Sequence, residues 1–329
     1  MEFRSVHQLN ADLARWSETL PRDIDLVVGI PRSGMLAATM LALHLHKPLA
    51  DLDGLVAGRV LGGGARIGRG ADPGQIIADA RRILVLDDST NRGGAIREAK
   101  ARVATATHLE GRLVWGAPYA ATGAAEGVLD HWYEKVSRPR VFEWNVLHHS
   151  GLVDACVDLD GVVLGVATTS PLPHHPRLVP GAQVGWLVTR RPEAERAELE
   201  RWLAEHAVRF RHLVMASPAP SGQTGRPEGL PRPDAQGKAA LYTRTDAWLF
   251  VEEDLDQART VADAARRPVY CAGARAMVYP GTPLGGRPRP ADAARWRWRE
   301  GLRMQRKRAQ AWRRRARGLV GRGPSSSKR

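Results

Sequence analysis

The spacing of hydrophobic residues changes several times along the chain, and each change predicts an element. Between Val6 and Leu20, Leu9, Leu13 and Trp16 keep the three- and four-residue spacing of one helical face, predicting an N-terminal helix. Ile24-Asp25-Leu26-Val27-Val28-Gly29-Ile30 then forms a short apolar run, a buried strand ending at Pro31-Arg32-Ser33-Gly34. A helical pattern covers Met35 to His46. It is followed by a strand near Leu49, a Gly- and Arg-rich loop from Gly58 to Gly74, a strand from Arg82 to Leu86 and a helix from Gly94 to Thr105.

A second series opens with Ala155-Cys156-Val157-Asp158-Leu159-Asp160-Gly161. It continues through a strand Val184 to Val188, a helix Glu193 to His206, a strand Leu213 to Met215 and a Pro/Gly-rich loop from Ser217 to Gln236. A strand Trp248 to Val251, a helix Leu255 to Ala265 and a strand Pro268 to Cys271 close it. Strands alternating with helices predict an α/β fold: two doubly wound, mainly parallel-sheet, Rossmann-like domains. The expected boundaries are 1–150 and 151–286, followed by a basic, partly helical tail at 287–329. No internal repeat is visible. Sheets of this kind bind ligands beyond the carboxyl ends of their strands, which directs attention to the turns there.

Composition alters this outline only in places. At 329 residues the chain exceeds one typical core, consistent with two domains. No apolar run reaches membrane-spanning length and the N-terminus has no signal-peptide core, so a cytoplasmic protein without a membrane span is expected. The two cysteines, Cys156 and Cys271, argue against a disulfide framework or a cysteine-based zinc site. The net charge of +14 resides entirely in the tail. Residues 287–329 hold 16 Lys and Arg against 2 acids, which leaves 33 of each sign in the remainder.

Two turns in the first series carry candidate chemistry. Gly29-Ile30-Pro31-Arg32-Ser33-Gly34 is a strand–turn–helix junction whose amides and helix N-terminus suit an anion, although such turns also occur for purely structural reasons. One unit later, Ile83-Leu84-Val85-Leu86-Asp87-Asp88-Ser89-Thr90-Asn91-Arg92-Gly93-Gly94 runs from a strand into two adjacent acids and a Gly pair. Such acids suit a diol or a magnesium-bound sugar, and the glycines free amides for a phosphate. The plain alternative is a capped turn, since Asp, Ser and Asn are ordinary turn formers.

Together the two turns resemble those of type I phosphoribosyltransferases. The resemblance implies that Asp87 and Asp88 hold the ribose hydroxyls of phosphoribosyl pyrophosphate, and that Asn91, Arg92, Gly93 and Gly94 hold its 5-phosphate. It also implies that Arg32, Ser33 and Gly34 face the pyrophosphate, with magnesium bridging. The loop around Arg59, Arg66 and Arg69 stands where that family keeps a mobile lid. Many members carry an acid followed by Thr where this chain has Asn91-Arg92. The difference implies either a changed acceptor or a domain that binds the ligand without turning it over.

In the second series, Asp158 and Asp160 stand two residues apart at a strand end, on one face, as a nucleophile and a general acid around one magnesium ion would. The next strand delivers Thr189, a hydroxyl for a phosphoryl oxygen. Lys238 follows a loop and suits charge neutralisation, or else is a solvated lysine. Glu252-Glu253-Asp254 ends another strand. That order resembles the haloacid-dehalogenase-like phosphatases over residues 153–275. The resemblance implies an aspartyl-phosphate on Asp158 and proton transfer by Asp160. It further implies phosphoryl orientation by Thr189 and Lys238, and magnesium held by Asp158, Asp160, Glu253 and Asp254. Too few residues intervene for a large cap.

In the tail, Arg295-Trp296-Arg297-Trp298-Arg299 and Trp312 interleave cations with rings, as nucleic-acid binding by phosphate contact and stacking requires. Trp298, Leu302, Ala309 and Trp312 also fall near one helical face, which suits docking on the body or on an anionic membrane. A solvated extension is the third reading. The leading functional expectation joins the two resemblances: phosphoribosyl transfer to a base-like acceptor, then magnesium-dependent dephosphorylation to a nucleoside-like metabolite. The alternative is a nucleotide or polynucleotide phosphatase with a phosphoribosyl-pyrophosphate-sensing domain and a nucleic-acid-binding tail. A third is an inactive binding domain beside a sugar phosphatase. The acceptor and the oligomeric state are not set by the sequence.

Overall fold

A computed structural model of the chain describes residues 1–61, 73–121, 123, 127–165, 171–216, 234–299, 301, 302 and 305. The expected lid arginines Arg66 and Arg69, most of the Ser217–Gln236 loop and Trp312 lie outside them. The chain divides into two compact units, Glu2–Asn145 and Val146–Arg329, the latter taking in Met1.

In chain order the first unit contains β1 (Glu2–Arg4), α1 (Val6–Thr19), β2 (Ile24–Gly29), α2 (Gly34–Leu45), β3 (Leu49–Asp51), α3 (Leu52–Val56) and α4 (Pro73–Asp79). It continues with β4 (Arg82–Leu86), β5 (Ser89–Thr90), α5 (Gly94–Val103), β6 (Leu113–Ala120), β7 (His131–Lys135) and β8 (Arg140–Phe142). Its main sheet has the order β3-β2-β4-β6-β5, with β7 also on β6, and every pairing is parallel. β1 pairs separately with β8.

The apolar run of β4 is unbroken because both of its faces are covered. Ile83 and Val85 enter one core with Leu26, Val28 and Ile96, while Leu84 and Leu86 enter a second with Leu13, Val27 and Leu41. Each such side chain contributes about 1.5–3 kcal/mol on burial, which fixes the strand's register and therefore where its end delivers Asp87.

The second unit contains β9 (Ala155–Asp158), β10 (Val184–Pro192), α6 (Arg196–Glu205), β11 (Phe210–Ala216), α7 (Ala235–Arg244), β12 (Leu249–Glu252), α8 (Leu255–Ala265), β13 (Val269–Cys271) and β14 (Ala276–Val278). Its sheet order is β11-β10-β9-β12-β13-β14, parallel throughout except for β14 on β13. Central β9 is followed by a single wide helical turn, Leu159–Leu164. The α/β class with mainly parallel sheets is the one the alternation of patterns predicts.

Residues 290–299 are helical, and the tail begins on the body of the second unit. Trp296 is buried and stacks on Tyr279 at 5.7 Å, whereas Trp298 is 66% exposed. Trp296, expected among rings available for stacking on bases, is therefore a packing residue. Among the described residues no helix is long and apolar enough to cross a membrane.

Candidate active sites

In the first unit, β2 and β4 are neighbours in register, with Gly29 opposite Leu86, so their two turns meet. Gly34 opens α2 against the end of β4. A Cβ there would lie 2.7 Å from Leu86 O and 3.1 Å from Asp87 Cα, so the close approach requires glycine. Ser33 Oγ donates to Asp88 Oδ1 at 3.0 Å. Asp88 Oδ2 accepts from Trp144 Nε1 at 2.6 Å and from Asn145 Nδ2 at 3.0 Å. Arg32 is exposed, and its Nη2 donates to Asn145 Oδ1.

Asp87 and Asp88 are both buried, and the Asp88 amide donates to Asp87 Oδ1 at 2.9 Å. Burial, with the charge of Asp88 beside it, pushes the Asp87 carboxyl up to about 8. The Asn91–Gly94 turn leads into α5. Gly93 has φ of 72° and Gly94 starts the helix, with no side chain among the described residues capping its amides. Asn91 and Arg92 are exposed, and the Arg92 carbonyl accepts from Arg97 Nη2 at 2.7 Å. A helix N-terminus without a side-chain cap leaves backbone donors for an anion.

In the second unit, β10 pairs with β9 so that Val188 lies opposite Asp158, which places Thr189, still within β10, one residue past the end of β9. Thr189 Oγ1 donates to Asp160 Oδ1 at 2.8 Å, and the Arg190 amide donates to Asp160 Oδ2 at 2.9 Å. Asp158 Oδ2 accepts from the Gly161 amide at 2.8 Å, and its Oδ1 lies 2.8 Å from Lys238 Nζ.

Lys238 is 1% exposed, in the first turn of α7 rather than in a loop, and also reaches Glu252 Oε2 at 2.7 Å and Gln257 Oε1 at 3.0 Å. The solvated-lysine reading is thereby excluded. Burial works against its charge, but Asp158 and Glu252 outweigh burial and hold the ammonium above its ordinary range. Burial, reinforced by Asp158, raises Asp160 above the usual carboxylate range. The same two causes push Glu252 up to about 7, against the pull of Lys238.

The expected metal residues at the end of β12 have other partners. Asp254 caps α8, accepting from the Gln257 amide at 2.8 Å. Glu253 packs against Gly161, and its Oε1 accepts from Arg177 Nη1 at 2.7 Å while its buried Oε2 has no hydrogen-bond partner among the described residues. Among the described residues no three Asp, Glu, His or Cys side chains converge as a metal cage.

Comparison with known proteins adds a likeness for part of the chain. No protein-family model and no curated protein matches it. Among solved structures, a xanthine-guanine-hypoxanthine phosphoribosyltransferase of Helicobacter pylori is 18% identical, covers 44% of this chain and 92% of its own, and superposes with a TM-score of 0.31. A purine phosphoribosyltransferase of Pyrococcus horikoshii is 16% identical, with 44% and 92% coverage and a TM-score of 0.31. TT1426 of Thermus thermophilus is 20% identical, with 43% and 85% coverage and a TM-score of 0.27.

Four site residues escaped the sequence pattern. Trp144 and Asn145 reach Asp88 from a segment that follows β8, far away along the chain. Glu252 rather than Glu253 faces Lys238. The period-two rule was a usable signal there, because Glu252 is two residues beyond Phe250, whose side chain enters the core beside α7 and α8. Arg177, which also donates to Gly161 O at 3.1 Å, has no motif around it that would mark it.

Proposed function

We propose that the first unit binds phosphoribosyl pyrophosphate and transfers its phosphoribosyl group to a base-like acceptor, and that the second unit then hydrolyses the phosphate ester formed. The observation that carries the transferase half is the meeting of two turns: Ser33 of the β2–α2 turn bonded to Asp88 of the β4 turn. A dihydroxy sugar needs closely spaced acceptors, and its phosphates need amides and cations. Asp87 and Asp88 supply the first. Gly93, Gly94, Arg92, Ser33 and Arg32 supply the second.

In the second unit the proposed step is displacement at phosphorus by an Asp158 oxygen. The new O–P bond forms as the ester P–O bond breaks, and Asp160 gives its proton to the departing oxygen. Burial of Asp160 favours the protonated acid that this role needs. Water, deprotonated by the resulting Asp160 carboxylate, then forms a new O–P bond as the Asp158 O–P bond breaks, which releases inorganic phosphate and restores the Asp158 carboxylate. Thr189 and Lys238 orient and neutralise the phosphoryl oxygens.

Magnesium fits this donor set as an ion completed by substrate phosphate rather than as one held in a full protein cage. Asp158 and Glu253, whose buried Oε2 has no hydrogen-bond partner among the described residues, would hold it, leaving the Asp160 carboxyl for proton transfer. When bound it supplies charge neutralisation on the phosphoryl group.

The test is a mass-spectrometric screen of phosphoribosyl pyrophosphate, magnesium and candidate acceptors with Asp158→Asn protein. A trapped acceptor–ribose phosphate, converted by the wild-type chain to free phosphate and the dephosphorylated product, is expected. If phosphoribosyl pyrophosphate is left unconsumed with every acceptor, the transferase half is wrong. Phosphate release that survives Asp158→Asn would dispose of the phosphatase half.

A further inference from the structure

Asp88 is surrounded by more donors than a carboxylate waiting for a diol requires. One oxygen takes Ser33, and the other takes both Trp144 and Asn145. A carboxylate offers about four acceptor positions, so three are already occupied. Trp144 is a fixed member of this set. Its ring stacks on Phe142 at 5.1 Å and lies 6.3 Å from Tyr119, which also stacks on Phe142, and its single N–H is spent on Asp88.

Asn145 differs, because one short amide serves two groups of opposite charge. Its Nδ2 donates to Asp88 and its Oδ1 accepts from Arg32. These are the residues assigned above to the sugar hydroxyls and to the pyrophosphate. Arg32 and Ser33 are adjacent in sequence, so the contacts Arg32–Asn145–Asp88–Ser33 close into a ring.

We propose that Asn145 is a specificity-determining positioning residue that holds Arg32 and Asp88 to each other until a ligand carrying both an anion and a diol replaces both of its bonds. This rests on the reading of the first unit as a phosphoribosyl-pyrophosphate site. An anion alone releases only the Arg32 contact, and a diol alone only the Asp88 contact. A sugar pyrophosphate gains both for the displacement of one side chain. The ring therefore favours the intact donor over its separate parts, and over the products once pyrophosphate has left.

The experiment is titration calorimetry of the full chain with inorganic pyrophosphate, comparing wild type, Asn145→Ala and Asn145→Asp. Removing the amide frees Arg32, so Asn145→Ala binds pyrophosphate about 3- to 10-fold more tightly, the range set by the loss of one competing hydrogen bond. Asn145→Asp pins Arg32 by charge and binds it more weakly than wild type. A purely structural role predicts weaker binding in both variants. If Asn145→Ala does not fold, Asn145→Ser removes the same amide and carries the same expectation. Equal affinity in all chains, or weaker binding by the amide-free variants, overturns the proposal while leaving pyrophosphate recognition standing. Absence of binding in every chain overturns the ligand assignment of Arg32 and the proposal with it.

Discussion

The Lys238 ammonium lies 2.8 Å from Asp158 Oδ1, and the two side chains are only 1% and 4% exposed. With Glu252 on its other side, Lys238 is the cation that lets two carboxylates share a dry site. Breaking a buried pair by removing one partner costs about 3–5 kcal/mol, because the other charge is left uncompensated. Lys238→Met is accordingly expected to destabilise the second unit by that amount and to abolish the phosphatase activity proposed for it. Urea denaturation followed by a probe in that unit, with phosphate release on the same sample, measures both.

The raised carboxyl of Asp87 makes the first unit pH-sensitive in a definite direction. Its folded-state value, about 8, lies well above the ordinary aspartate value of about 3.9, so the folded chain holds this proton more tightly than the unfolded chain. The resulting stabilisation is complete below about pH 4 and is lost as pH rises through about 8. Denaturation of wild-type protein at pH 6 and pH 9 should therefore show lower stability at the higher pH. Asp87→Asn should flatten that part of the difference; an unchanged slope in the variant would assign it to other groups.

Gly34→Ala places a methyl group 2.7 Å from a backbone carbonyl that cannot move without shifting β4. Overpacking of this kind costs about 1–3 kcal/mol. The expected result is a lower melting temperature of the first unit together with weakened phosphoribosyl-pyrophosphate binding, since the strain falls on the residue beside Asp88. Retained affinity at a lowered melting temperature would separate the turn from the ligand.

The two tryptophans of the tail helix should behave differently. Trp296→Ala empties a buried site against Tyr279 and is expected to cost about 3–5 kcal/mol. Trp298→Ala, at an exposed position, should change stability by no more than about 0.5 kcal/mol. Thermal unfolding of both variants checks this. It also follows that truncation at Gly286 removes a packing residue, so any test of nucleic-acid binding by the tail should cut after Arg299 instead.

Much of the fold could be read from the sequence because both six-stranded sheets contain strands with local signatures. β4 and α8 show their full extent in an apolar run and in a capped amphipathic stretch, and both were expected at the bounds the structure gives. Central β6, Leu113–Ala120, was not expected, because Trp115-Gly116-Ala117-Pro118 mixes a ring, a glycine and a proline and reads as irregular. α7 was hidden by the Pro/Gly-rich stretch before it, although Asp234 caps it through the Gly237 amide. Of the candidate sites, Asp87, Asp88 and Asp158 were legible because each ends or follows an apolar strand, whereas Asp160 lies in the helical turn after β9 and not on the strand face expected for it. Trp144, Asn145 and Arg177 were not legible, since they arrive from distant segments through tertiary packing alone.

Asp87 and Asp88 are central to the proposed transfer as the cradle for its sugar phosphate. Titration calorimetry of phosphoribosyl pyrophosphate with magnesium into wild-type chain and Asp88→Asn tests that directly. Saturable binding by wild type, weakened at least about tenfold by the loss of a charged acceptor, is the predicted result. Equal binding by both chains, or none by the wild type, would contradict it.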